Sequence, residues 1–282
     1  MLTLTLGPFT LALSHLLILA SLLLATVVGG WLGRRSGHNP EAVLFNLLLV
    51  ALVGARLAFV VTYAEHFREA PWQVLDIRDG GFIAWPGVLA ALALAGWLLW
   101  RRPPLRRPLG VALLSGLLLW GMGQALMQAL ERGTRLPPVA LQDRDGRPVR
   151  LEDYQGQPLV VNLWATWCPP CRREMPVLAT AAQQHADVLF LFVNQGEDAE
   201  TVRHYLAKEG LTLGHVLLDG GTRLGQQVGS RALPTTLFFD AEGRQVGSHL
   251  GELSQASLVQ ALGVLKRDAP PRQRGAIAAQ RH

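Results

Sequence analysis

The hydrophobic pattern divides the chain into two unlike halves. In the first, apolar residues run almost unbroken through Phe9 to Leu32, Ala42 to Tyr63, Phe82 to Trp100 and Leu109 to Leu130. Each stretch is long enough to cross a hydrocarbon core of about 30 Å, which takes roughly 20 helical residues. A cleaved leader would account for one such run, not four, and the first has neither a basic n-region nor an obvious small-residue cleavage site. The pattern therefore predicts an α-helical membrane bundle of about four transmembrane helices.

At Glu131 to Pro138 the pattern changes, and Glu-Arg-Gly-Thr-Arg-Leu-Pro-Pro reads as a linker, since a proline pair continues neither a helix nor a sheet interior. Beyond it the apolar runs are short and alternate between two periods. Asp145-Gly146 between alternating residues signals a hairpin. Leu159 to Trp164 has strand length, and Met175, Leu178 and Ala182 then switch to helical spacing. Further strands are expected at Val188 to Val193, His215 to Leu218 and Thr235 to Phe239, with one more after a Glu242-Gly243 turn. Helices are expected near Asp198 to Glu209, near Thr222 to Val228 and from Ser254. Such alternation predicts an α/β sheet covered on both faces. The predicted organisation is a transmembrane domain over 1–132, a linker over 133–138, a soluble domain over 139–266 and a disordered tail over 267–282, which is rich in Pro, Arg and Ala.

Charge sets the orientation. Arg34 and Arg35 lie between the first two spans, and Arg101, Arg102, Arg106 and Arg107 between the last two. The middle loop balances Arg68 and Arg78 with Glu65, Glu69, Asp76 and Asp79. Excess arginine marks cytoplasmic loops, so the soluble domain is expected on the opposite side, the periplasm of a bacterial cell. The net charge of +5 thus follows from topology, and no basic stripe interleaved with aromatics suggests a nucleic-acid partner. Arg56 stands inside the second span, where an ionised group is costly unless paired or snorkelling; it is a candidate site residue, with Tyr63 one span end away.

Only two cysteines occur, three positions apart in Trp167-Cys168-Pro169-Pro170-Cys171. No His or Cys cluster has the spacing of a four-ligand zinc site, so no metal is expected. The motif follows a strand and opens a helix. Cys168 is placed at the helix start, where unpaired N–H groups and the dipole favour the thiolate, which is the attacking species. It is expected to be the exposed nucleophile, with Cys171 one turn later able to resolve a mixed disulfide. The two prolines suit a first turn, where their missing N–H groups have no intrahelical acceptor. A zinc half-site lacks its second pair, and a structural disulfide across four residues would restrain the unfolded chain little.

Val-Val-Asn-Leu-Trp-Ala-Thr-Trp-Cys-Pro-Pro-Cys-Arg-Arg-Glu-Met-Pro, with Ala-Leu-Pro-Thr-Thr-Leu-Phe-Phe-Asp some way downstream, resembles the TlpA/ResA/DsbE group of thioredoxin-fold proteins. The resemblance implies an α/β thioredoxin-like domain and a periplasm-facing thiol:disulfide oxidoreductase at the inner membrane. Its substrates would be disulfide-bearing extracytoplasmic proteins, apocytochrome c among them, and no cofactor is implied. It implies a cis Pro234 beside the cysteines, with Trp167, Pro169, Pro170, Leu233 and Thr235 forming the substrate surface. It also implies that Glu174 assists proton movement at Cys171, since Asn162 stands where thioredoxin has a buried aspartate. Arg172 and Arg173 are candidates for raising thiolate character, and Trp164 for the core. The membrane half contains no cysteine, so a separate membrane or periplasmic electron donor is expected.

Gly54-Ala55-Arg56, Tyr63, Pro71-Trp72 and Gly80-Gly81-Phe82-Ile83-Ala84-Trp85-Pro86-Gly87 resemble the front part of the prolipoprotein diacylglyceryl transferase family. In that family the glycine run leads into a His-Gly-Gly motif whose histidine is needed for transfer; here Trp85, Pro86 and Gly87 stand there. An anchor or docking surface is the expected role, with transferase activity as the alternative. A disulfide oxidant or isomerase, or a non-catalytic tethered binding module, remain the other readings of the soluble half.

Overall fold

The computed structural model describes residues 3–6, 9–68, 71–230 and 232–268. They fall into two compact units, one made of Leu11–Ile77 and Gly81–Gln128, the other built mainly on the chain from Ala129 onward.

A two-stranded ribbon, β1 (Thr3–Leu6) with β2 (Phe9–Ala12), precedes the first helix. The apolar run from Phe9 is therefore strand before it is helix. Four helices follow: α1 (Leu13–Ser36), α2 (Glu41–Thr62), α3 (Ala84–Arg101) and α4 (Arg106–Gly133). All four are long and apolar enough to cross a membrane. Their exposed side chains include Leu23, Leu49, Leu57 and Leu114, a surface suited to lipid and unsuited to water. Between α2 and α3 the backbones nearly touch. A Cβ on Gly87 would lie 2.0 Å from the Ala51 carbonyl oxygen, so only glycine fits, as is usual where membrane helices pack closely.

The soluble unit is a seven-stranded sheet in the order β4-β3-β7-β6-β5-β8-β9. Its strands are β3 (Ala140–Asp143), β4 (Pro148–Arg150), β5 (Leu159–Trp164), β6 (Leu189–Gln195), β7 (His215–Asp219), β8 (Thr235–Phe239) and β9 (Gln245–Leu250). The pairs β5–β6 and β6–β7 are parallel, and the other pairs are antiparallel. The helices are α5 (Pro169–Gln184), α6 (Ala199–Lys208), α7 (Arg223–Gln227) and α8 (Gln255–Asp268).

Every residue of β5 is buried, and the two-residue period of a strand sends alternate side chains to opposite layers. Val160 and Trp164 join one core with Met175, Leu178, Phe192 and Leu262. Leu159, Val161 and Leu163 join the other with Leu151, Leu224 and Phe239. Asn162 shares the parity of Val160 and Trp164, which directs it to the layer containing α5.

Two boundaries differ from the sequence expectation. The linker is partly core, because Leu136 is buried and its N–H donates to the Gly243 carbonyl. The expected tail begins too early, because α8 continues through Arg267 and Asp268 to complete the turn that buries Leu265. The rest of the expected tail, residues 269–282, lies outside the described residues.

Candidate active site

The strand β5 delivers the chain to the cysteines through one tight turn, closed by Cys168 N–H donating to the Ala165 carbonyl at 3.3 Å. Cys168 is the N-cap of α5, with Pro169 and Pro170 as its first residues. The two cysteines are joined as a disulfide. The Cys168 sulfur accepts from the Cys171 N–H at 3.3 Å. Pro169 and Pro170 have no N–H to offer, so this donor stands alone among the first-turn groups.

The expectation of an exposed Cys168 requires correction. In this disulfide form the residue is 3% exposed and Cys171 is fully buried. The N-cap conformation folds the Cys168 side chain back over the first turn, while its neighbour Trp167, at 68% exposed, takes the surface position.

Antiparallel pairing of β8 with β5 sets Thr235 opposite Leu163. The residues just before β8 therefore reach the end of the sheet where β5 leaves for the cysteines. The Leu233–Pro234 peptide bond is cis. Leu233 lines a cavity of about 300 Å³ together with Trp167, Gln195, Thr222, Gln226 and Ser230. Thr235, expected on the substrate surface, is instead fully buried. It occupies a strand covered on both faces, and its hydroxyl bonds to the Ala232 carbonyl and to Ser230 Oγ. Pro234 is buried too, and its carbonyl accepts from Gly251 N–H. Of the three, Leu233 faces the cavity.

Glu174 is fully buried on the inner face of α5, one turn beyond Cys171. Its Oε1 accepts from Asn162 Nδ2 at 2.8 Å and its Oε2 from Leu253 N–H at 2.9 Å. Asn162 also donates to Thr236 Oγ1. Burial raises the Glu174 carboxyl to about 7; the two hydrogen bonds pull against that, and the Glu252 carboxylate adds to it. Desolvation wins because two neutral donors replace a full hydration shell only in part. The neighbouring arginines are turned elsewhere. Arg172 pairs with Glu209 and lies over the Tyr205 ring, and Arg173 pairs with Glu252.

Sequence reasoning missed Glu197. Its carboxylate accepts from Thr166 N–H at 2.8 Å, from Thr166 Oγ1, and from Asn194 Nδ2 at 2.7 Å. It thus grips the turn that carries Trp167 and Cys168. In the sequence it stands beside Asp198, which caps α6 by accepting from Thr201 N–H, and an acid before a helix start is read as part of a cap. Asn194 near the end of a buried strand and Glu197 just after it were the available signal.

Arg56 and Tyr63 belong to the other unit. Arg56 is 7% exposed and donates to the carbonyls of Gln73, Val74, Asp76 and Gly81 at 2.7–3.0 Å. Its guanidinium lies over the rings of Phe59, Phe67 and Phe82. Tyr63 caps the C-terminal end of α2 and packs on Phe59 at 5.0 Å between ring centroids. Trp85 is 67% exposed. Among the described residues no group of three or more His, Cys, Asp or Glu side chains has an arrangement able to hold a metal ion.

Two family descriptions match the chain, prolipoprotein diacylglyceryl transferase over residues 1–124 and Redoxin over residues 131–262. The thiol-disulfide oxidoreductase ResA of Geobacillus thermodenitrificans is 33% identical over 140 residues, which is 49% of this chain and 80% of that protein. ResA of Bacillus subtilis is 26% identical over 141 residues, 49% of this chain and 78% of its own. Among solved structures, the exposed lipoprotein thioredoxin Etrx1 of Streptococcus pneumoniae is 30% identical, covering 44% of this chain and 97% of its own, with a TM-score of 0.38.

Proposed function

The chain belongs, through its C-terminal half, to the ResA family of thiol-disulfide oxidoreductases, and on that premise we propose that it is a membrane-held reductase of protein disulfides facing the periplasm. In the reduced protein, the Cys168 thiolate attacks one sulfur of a partner's disulfide. That S–S bond breaks, the partner's other sulfur leaves as a thiolate and takes a proton from solvent, and a mixed disulfide remains. Cys171 then loses its proton and attacks the Cys168 sulfur; the partner leaves with its second thiol, and the Cys168–Cys171 disulfide is left. A separate thiol donor must reduce this pair before the next cycle.

One observation carries the reading, the fully buried Glu174 one helical turn beyond the resolving cysteine. A carboxyl raised to about 7 holds and releases protons at the pH where the thiols must do so. Glu174 accordingly takes the Cys171 proton as the mixed disulfide resolves. The direction of electron flow is supported by the two prolines. Strong oxidants stabilise their reduced, thiolate form; here two first-turn positions offer the Cys168 sulfur no N–H, which weakens that stabilisation.

Trp167 and Leu233 line the cavity beside the motif and are assigned to partner binding. The membrane half serves as the anchor, since Trp85 provides no group that exchanges a proton where the transferase resemblance calls for histidine. Arginine-rich loops at Arg34 and at Arg101 to Arg107 support cytoplasmic placement of those loops and periplasmic placement of the cysteines.

Cys168→Ser is expected to abolish reduction of a protein disulfide by the full chain, and Cys171→Ser to accumulate covalent partner complexes visible on non-reducing gels. Full turnover in either variant would overturn the assignment. Alkylation trapping in cells, paired with a measured reduction potential, tests direction. A pair found oxidised at steady state at an oxidant's potential would make the protein a disulfide donor, and one round of reduction without cycling would make it a binding module.

A further inference from the structure

The helix α2 has 22 residues, about 33 Å of rise, which matches a hydrocarbon core of about 30 Å. Arg56 stands six residues before Thr62, the last of the helix, and so about 9 Å along the axis from that end. Two sets of contacts bring the following chain back to this level of the helix. Ile83 N–H donates to the Ala55 carbonyl, so α3 begins at the level of Ala55 and below the end of α2. Arg56 independently holds the carbonyls of Gln73, Val74, Asp76 and Gly81.

Pro71–Leu75 is a short 3-10 helix, and backbone outside a full α-helix is tolerated near the apolar layer only where its polar groups are satisfied from within. Arg56 does this for four acceptors at once. With those carbonyls drawn inward, the large side chains of the same segment point out: Trp72 is 72% exposed, Leu75 85% and Ile77 63%, and Trp85 at the start of α3 is 67% exposed. They continue the lipid-facing surface of the two spans, where Val61 and Leu89 are exposed as well. Tryptophan is the residue that favours the headgroup level of a bilayer.

We infer that Pro71–Ile77 is a re-entrant segment lying in the interfacial layer of the bilayer, and that its occupant is lipid at the glycerol and upper acyl level. Trp72, Leu75, Ile77 and Trp85 form the contact. Arg56 is the positioning residue, turning the segment's backbone inward so that its apolar side chains meet lipid.

The full chain in lipid nanodiscs, with Cys168 and Cys171 replaced by serine, tests this through single labels of an environment-sensitive fluorophore. Leu75→Cys is compared with Leu52→Cys, on the lipid-facing side of α2, and with Asp145→Cys, on the exposed hairpin turn. The Leu75 label is expected to emit to the blue of the Asp145 label and to be at least about threefold less quenched by iodide. It should be quenched more by a nitroxide near the lipid headgroup than by one near the chain end, with the reverse order at Leu52. Iodide quenching equal to that at Asp145 would put the segment in water. Quenching by neither agent would show a protein cover, and either result overturns the inference.

Discussion

Arg56 in the membrane unit and Glu174 in the soluble unit are both buried ionisable side chains, and the two are treated in opposite ways. Arg56, in the membrane unit, has its donors on four backbone carbonyls and three aromatic faces. Glu174, in the soluble unit, has two neutral donors and a raised carboxyl. A charge that is fully solvated by protein organises the backbone around it. A charge solvated only in part sits close to its own neutralisation, and that is the property a proton carrier needs.

The largest way to break this comparison is to remove the better-satisfied charge. Arg56→Leu removes a charged donor from four carbonyls; the Gln73 carbonyl keeps the Asp76 N–H, and each of the others left without a donor costs at least about 1 kcal/mol. The full chain is therefore expected to lose about 3 kcal/mol or more of resistance to unfolding in detergent, with Arg56→Lys between the two. A loss below about 1 kcal/mol would mean that the carbonyls find other donors.

Glu174 sharpens the other side. Its folded carboxyl, at about 7, lies above its ordinary value of 4.5, so the folded protein holds that proton more tightly than the unfolded chain does. The stability this contributes is fully present below about pH 4.5 and is lost as pH rises through about 7, by up to about 3 kcal/mol. Glu174→Gln should flatten that part of the pH–stability curve and slow resolution of the mixed disulfide. A wild-type curve that rises with pH across this window would contradict the burial argument.

Glu197 is a weaker case of the same contrast, a half-buried acid that accepts from three donors. Glu197→Ala is expected to cost about 1.5–3 kcal/mol in thermal unfolding, the range for hydrogen bonds to a charged group. It should also change the alkylation rate of reduced Cys168, because the turn carrying Trp167 is released. An unchanged alkylation rate would make Glu197 a purely structural residue.

Most of the fold was legible along the chain because its signals are local. Uninterrupted apolar runs marked the four spans, and the switch from strand period at Leu159 to helical period at Met175 placed the cysteines at a helix start. The ribbon at Phe9–Ala12 was not legible, since an apolar run of that kind fits a strand or the beginning of a span equally well. The last two residues of α8 fell outside the expected domain because the Pro-, Arg- and Ala-rich composition after Leu265 guided that boundary.

The amino-acid sequence by itself determined the redox pair. Two cysteines three residues apart at a helix start are within reach of each other whatever the rest of the chain does. It also determined which segments seek a bilayer, because hydropathy adds up over consecutive residues. Only the tertiary structure decided what surrounds the ionisable groups. Asn162 and Leu253 lie 12 and 79 positions from Glu174, and the carbonyls on Arg56 come from 17 to 25 positions away. The state of a buried charge depends on the donors and acceptors that folding sets against it, and no local pattern encodes that distance in space.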